Sequence, residues 1–182
     1  MAFILGELKH VSKKVLVSAT PLIKIPSFVK VFSPAEVSFS TINNTLQNGA
    51  LILNLVLSDK HNTLESLFNL VCSIQSEPAL LFCNHRELCE QIAADFIRKG
   101  IITGFYHGGM EQEDRERALI KFRNGSVNYL VTTDLAARGL DIPEMNHVIH
   151  VQLPMHHHEF THRNGRTARM HNAGNAYIVV NN

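Results

Sequence analysis

Short runs of consecutive apolar residues alternate along this chain with stretches whose apolar positions return every three or four residues. "ALLFC" (79–83) and "NYLVTT" (128–133) are continuously apolar, as strands covered on both faces of a sheet are. In "ELCEQIAADFIRKG" (87–100), Leu88, Ile92, Phe96 and Ile97 recur at helical spacing and Gly100 offers a C-cap. The same reading predicts strands at Val15–Ser18, Leu51–Val56, Ala79–Cys83, Thr103–Tyr106, Tyr129–Thr132, His147–Val151 and Ala176–Val180. Helices are predicted at about Asn62–Ile74, Arg86–Lys99, Gln112–Phe122 and Glu159–Arg169. Strand and helix alternating at this spacing predict an α/β fold with a mainly parallel central sheet flanked by helices.

The first quarter of the chain breaks the pattern. "KKVLVSATPLIKIPSFVKVFS" (13–33) holds one strand and one short helix with no returning strand, and a lone strand cannot cover its own faces. The following "SPAEVSFSTINNTLQNG" is rich in Ser, Asn and turn formers. The expected organisation is therefore the tail of a preceding domain at 1–33, a linker at 34–48, and the domain proper at 49–182.

Charge narrows the functional classes. With 17 Lys and Arg against 16 Asp and Glu, the net charge is +1, so no global field draws the chain to nucleic acid, and any such binding must be local. The longest apolar stretches fall far short of a membrane span, and "MAFILGELKHV" turns polar too early for a secretory signal. Cys72, Cys83 and Cys89 are odd in number and lie in apolar or helical settings. They read as reduced thiols, and with them a cytoplasmic location is expected. No metal-ligand spacing links them, and adjacent residues such as His156–His158 converge poorly on one ion.

The candidate chemistry lies in loops that follow predicted strands, where parallel α/β sheets place their sites. "LFCNHRE", "YHGGMEQEDR" and "VTTDLAARGLD" are three such loops. In the third, Thr132 and Thr133 offer hydroxyls, Gly139 permits close backbone approach, and Asp134 and Asp141 suit sugar hydroxyls or arginines. Near the C-terminus, "FTHRNGRTARMH" (160–171) sets Arg163, Arg166 and Arg169 three residues apart. On one helix these fall within a ~120° arc. Small residues, Gly165 and Ala168, separate them where a surface helix would carry Glu or Lys partners. Arginine pairs bidentately with phosphate, so an anion is the expected occupant.

Together these motifs resemble the C-terminal RecA-like domain of a DEAD-box RNA helicase, within helicase superfamily 2. "SAT" (Ser18–Thr20) is similar to motif III, "LLFCNHRE" to motif IV, Gln112 and Arg115 to motif IVa, "TTDLAARGLD" to motif V, and "HRNGRTAR" (His162–Arg169) to motif VI. The resemblance implies a RecA-like three-layer sandwich. It implies that Arg166 and Arg169 reach the γ-phosphate of ATP and act in catalysis, that Arg163 helps close the interdomain cleft, and that Gly139 and Asp141 lie at the nucleotide, Asp141 on the ribose. It assigns interdomain coupling to Ser18, Thr20, Arg138, His162 and Arg163, and RNA contacts to Asn84, Gln112, Arg115 and Thr133. The implied partners are RNA, ATP with Mg²⁺, and a first RecA-like domain. The sequence has no GxxxxGK[ST] phosphate loop and no acidic pair for Mg²⁺, so ATP hydrolysis is expected only with that other domain. A superfamily 2 motor acting on DNA and an RNA-binding module without ATPase are the alternatives. Three positions depart from the family's common pattern: His85 where a small hydroxyl residue is usual, Asn164 for Ile, and Ala168 for Gly.

Overall fold

The computed structural model describes residues 51–59, 62–137, 142, 145–167 and 173–181. The predicted strand Val15–Ser18 and the proposed segments 1–33 and 34–48 lie outside them.

The elements in chain order are β1 (Leu51–Ser58), α1 (Thr63–Ser73), β2 (Ala79–Phe82), α2 (Arg86–Arg98), β3 (Thr103–Tyr106), α3 (Gln112–Arg123), β4 (Tyr129–Thr132), a 3₁₀ turn (Asp134–Ala137), β5 (His147–His150), α4 (His157–Asn164) and β6 (Gly174–Asn181). The strands form one six-stranded sheet in the order β1-β6-β5-β2-β4-β3, and every pairing is parallel. All carboxyl ends therefore point to one edge.

Side-chain alternation sorts the core into two layers. Ala79, Leu81, Tyr129, Val131, Ile149 and Val179 pack with Leu67 and Val71 of α1 and Ile92 and Phe96 of α2. Their neighbours Leu80, Phe82, Leu130 and Val148 face the other way, onto Leu119 and Phe122 of α3. Residues of β2, β4 and β5 are buried throughout, as the apolar runs of β2 and β4 require, while β5 begins and ends on a buried histidine. The three-layer α/β fold expected from the sequence is the one observed.

Local chemistry explains how the elements end. After α2, Gly100 adopts φ +83°, Ile101 N–H donates to the Phe96 carbonyl (2.9 Å) and Gly100 N–H to the Ile97 carbonyl (3.0 Å). This is the left-handed C-terminal turn that glycine makes without strain. Within that helix Ile97 is 57% exposed, so the core stripe is Leu88, Ile92 and Phe96 and does not include Ile97.

The helix predicted as Glu159–Arg169 is shorter. It runs from His157 to Asn164. Gly165 N–H makes the last i→i−4 bond, to Thr161 (2.8 Å), after which Arg166 N–H reaches Arg163 (3.2 Å) and Thr167 N–H reaches Asn164 (3.0 Å). These i→i−3 bonds are a tightened final turn. Arg163 and Arg166 therefore do not form a stripe on one helix, because Arg163 is helical and Arg166 lies in the turn beyond. Arg169 is outside the described residues.

Candidate functional site

At the carboxyl edge of the sheet, one arginine binds the loops to one another. Arg163 has no solvent exposure. Its Nε and Nη2 donate to the two carboxylate oxygens of Asp134 (2.6 and 2.9 Å). Nη1 donates to the Gln152 carbonyl (2.7 Å) and Nη2 also to Asn84 Oδ1 (2.9 Å). The guanidinium lies over the Phe82 ring, 5.2 Å from its centroid. One side chain thus joins the loop after β2 (Asn84), the turn after β4 (Asp134), the end of β5 (Gln152) and α4. A fixed fork of donors suits this work, and a lysine would not reproduce it.

Further contacts close the edge. Asn84 Nδ2 donates to the Leu153 carbonyl (2.9 Å), and Asn84 N–H to Gln152 Oε1 (2.9 Å). In the loop after β3, a β-carbon at Gly109 would sit 3.3 Å from Arg86 Nη1 and 3.3 Å from His107 Nδ1, and one at Gly108 3.9 Å from Leu135. Gly109 is small because that loop lies against the start of α2. His107, itself buried, accepts from Gly109 N–H (3.2 Å) and donates through Nε2 to Glu90 (2.9 Å).

Two of the expected residues have their side chains engaged within the domain. Arg163, to which the resemblance gives a part in closing the cleft between domains, is wholly buried among partners of its own domain. Asn84 is expected on RNA, but both ends of its side-chain amide are engaged within the domain. For Arg163 burial matters most, since an unpaired guanidinium in that position would be costly; Asn84 is only half-buried.

The other expected residues divide into described and undescribed. Arg166 is only 7% exposed, and its backbone carbonyl accepts from Met145 N–H (3.3 Å). His162 is half-buried, its Nδ1 buried without a hydrogen-bond partner and its ring edge-on to His158. Gln112 and Arg115 open α3, where Arg115 Nη2 donates to Gln112 Oε1 (2.6 Å) and Gln112 Nε2 to Glu116 (2.8 Å). Thr133 is half-buried just past β4. Ser18, Thr20, Arg138, Gly139, Asp141 and Arg169 lie outside the described residues.

No group of three His, Cys, Asp or Glu among the described residues is placed to hold a metal. The rings of His156 and His158 stack at 5.4 Å on the exposed start of α4. No described helix is long and apolar enough to cross a membrane.

A protein-family model, the helicase conserved C-terminal domain, matches residues 59–171. The chain belongs to that family. Within it, the chain is similar to DEAD-box helicases. It is 31% identical over 95% of its length to DEAD-box ATP-dependent RNA helicase 35 of Arabidopsis thaliana, covering 29% of that protein. Among solved structures, the RNA helicase Prp28 from Chaetomium thermophilum bound to ADP is 32% identical, with a TM-score of 0.65 over 74% of this chain and 33% of that one. S. cerevisiae Dbp5 bound to RNA and ADP BeF3 shares the fold at 24% identity, with a TM-score of 0.66 over 73% of this chain and 36% of that one. The chain spans between 16% and 29% of the length of the curated relatives it matches.

Two of the three departures of this helicase domain have structural settings; Ala168 lies outside the described residues. Asn164 is buried, and its Oδ1 accepts from Nε2 of His150 (2.8 Å). The His150 ring stacks on Phe160 at 4.7 Å and on Phe82 at 6.3 Å. Burial, offset only in part by Asn164, lowers the His150 pKa to about 4. His85 precedes α2 as its exposed N-cap residue and makes no side-chain capping bond. Its carbonyl instead accepts from the Cys89 thiol (3.4 Å). Cys83 and Cys89 are both buried and free. The neighbouring Cys89 thiol, together with burial, holds the Cys83 thiol well above its ordinary range.

Sequence reasoning left one participant open and missed two. Asp134 was readable as an acceptor for sugar or arginine, and the structure selects arginine. Gln152 and His150 carried no motif signal. A histidine closing the apolar run "HVIH" (147–150) and an asparagine in a helical core position were the available clue, since each needs a polar partner when buried.

Proposed function

We propose that this chain is the second motor domain of an ATP-dependent RNA helicase. ATP would be held mainly by a first RecA-like domain, and its binding would draw the two domains together over RNA. The observation that carries this reading is the shared carboxyl edge. Loops matching motifs IV, V and VI are bound into one unit by Arg163, with Arg166 three residues further on. The relatives' names and the ligands of the solved neighbours support it.

In this reading Arg166 and Arg169 reach the γ-phosphate and offset charge that develops as its bond to the leaving oxygen breaks, work worth ~10³–10⁵ in rate for such arginines. Gly139 and Asp141 approach the nucleotide, Asp141 as acceptor for the ribose. His162, whose buried Nδ1 has no partner within this domain, meets the first domain together with Arg138. Ser18 and Thr20 couple to them. Thr133, Gln112 and Arg115 lie along the RNA backbone. Arg163 acts one step removed, fixing the loops that carry the others. Mg²⁺ finds no ligand in Asp134, whose two oxygens are committed to Arg163, and would be held by the other domain.

The test is ATP turnover in the full-length protein and in this 182-residue chain. The reading expects RNA-stimulated hydrolysis from the first and none from the second. Hydrolysis by the isolated chain, or no stimulation by RNA in the full-length protein, would overturn it.

A further inference from the structure

The turn that carries Arg166 is laced to β5 at three points. Arg163 Nη1 donates to the carbonyl of Gln152, just past the strand (2.7 Å). Asn164 Oδ1 accepts from His150 at the strand's last position (2.8 Å). The Arg166 carbonyl accepts from Met145 N–H before the strand begins (3.3 Å). The segment 163–166 therefore runs back along β5, and its middle stitch is a side-chain pair in which His150 is 0% and Asn164 7% exposed.

That stitch is built to be directional. The His150 ring is stacked on Phe160 at 4.7 Å and on Phe82 at 6.3 Å, so it cannot turn to follow a displaced acceptor. Asn164 is the last residue of α4, and its own carbonyl accepts from Thr167 N–H (3.0 Å). Fixing its side chain thus fixes both the end of the helix and the turn that follows. An apolar contact would fill the same space but would tolerate sliding, because it has no preferred direction, whereas a buried hydrogen bond is lost if the partners shift.

We infer that His150 and Asn164 are a positioning pair that sets where α4 stops and so aims Arg166. This rests on the helicase reading above for its consequence in catalysis, but not for its geometry. Neither residue touches the nucleotide in that reading, and both act through Arg166.

Three variants test it: His150→Leu/Asn164→Ile together, Asn164→Ile alone, and His150→Gln, whose side-chain amide keeps a donor for Asn164. The ¹⁵N-labelled 182-residue chain reports the amide resonances of Arg163, Arg166 and Thr167. The full-length protein reports RNA-stimulated kcat and the KM for ATP. Asn164→Ile alone lowers the melting temperature, because the His150 N–H is left buried and unpaired. The double variant recovers most of that loss, yet its three amide resonances stay displaced. Its kcat falls roughly tenfold to hundredfold, as small misplacements of a reacting group do, with KM for ATP little changed. His150→Gln keeps resonances and kcat close to the parent's. If the double variant regains melting temperature, resonances and turnover together, the pair only fills space and the inference is wrong. If the parent protein shows no RNA-stimulated turnover, the helicase reading fails, while the amide resonances still decide the positioning role. Should the double variant not fold, the contrast between His150→Gln and Asn164→Ile in the same resonances decides it.

Discussion

Two arginines of this domain sit in hydrogen-bonded clusters of similar composition and opposite setting. Arg163 is wholly buried, with Asp134, Asn84 and the Gln152 carbonyl around it. Arg115 is half-buried in the first turn of α3, its Nη2 reaching out to the exposed Gln112, which in turn meets the exposed Glu116. Each joins a guanidinium to amides and a carboxylate. What differs is the medium. In the interior an arginine cannot be released without leaving Asp134 uncompensated, so the cluster holds four segments together. At the surface water replaces any lost partner, so the cluster is free to exchange its partners for those of a ligand. A motif arginine is therefore not a ligand-binding arginine until its burial is known.

The largest expected effect that sharpens this contrast is on Arg163. Removing one partner of a buried ion pair costs ~3–5 kcal/mol, so Arg163→Ala should lower the denaturation midpoint of the domain steeply or abolish folding. Arg163→Lys should recover little of it, because an ammonium cannot form the two-oxygen pairing with Asp134. An Arg163→Ala domain as stable as the parent would erase the distinction between the two clusters.

Acid comes next. The native His150 resists protonation, with its pKa lowered to about 4 by burial, Asn164 and Asp134 raising it and Arg163 lowering it further. A histidine with a lowered native value contributes stability that is complete above its free value near 6.5. That stability is lost as pH falls from there to about 4, since the unfolded chain takes up the proton first. The lowering corresponds to roughly 3 kcal/mol. Chemical denaturation between pH 7 and 4 should show this decline, and His150→Leu should flatten it.

The smallest effects belong to the surface cluster. Arg115→Ala should change stability by less than ~0.5 kcal/mol. If Arg115 and Gln112 lie along RNA, the same substitution should weaken RNA binding and reduce its dependence on salt. For the isolated chain that binding should be weak, around 10⁻⁴–10⁻⁶ M, and fall linearly with salt on logarithmic axes. Tight binding insensitive to salt would point to base contacts rather than these.

How much of this was legible beforehand follows the range of the forces involved. Strands β3 and β4 fall where their apolar runs place them, because those runs are local. The capping role of Gly100 was equally local. Strand order was not. "ALILNLVL" is as apolar as "ALLFC", yet Leu55 on edge strand β1 is 70% exposed while Leu81 in the central β2 is 0%. Nothing in either run says which of them has neighbours on both sides. The end of α4 was misread for a related reason: Arg163, Arg166 and Arg169 keep helical spacing, but a glycine at 165 weakens the helix, and His150, distant in sequence, holds Asn164 at its end. The loops that carry the motifs do meet at one edge of the sheet. Which arginine of the motif supports the edge depends on Asp134, Asn84 and Gln152, whose convergence only the tertiary structure reveals.

The central claim is that Arg163 holds the site together and Arg166 acts in it. The most direct test replaces each with lysine in the full-length protein and measures, side by side, melting temperature and RNA-stimulated ATP turnover per folded molecule. Arg166→Lys should cut turnover a hundredfold or more, taking the low side of the ~10³–10⁵ range because Arg169 shares the load. Because Arg166 is only 7% exposed, its melting temperature should also fall, but by less than that of Arg163→Lys. Arg163→Lys should lower the melting temperature sharply. An Arg166→Lys protein that unfolds early but turns over ATP normally while folded would make Arg166 a structural residue and contradict the account.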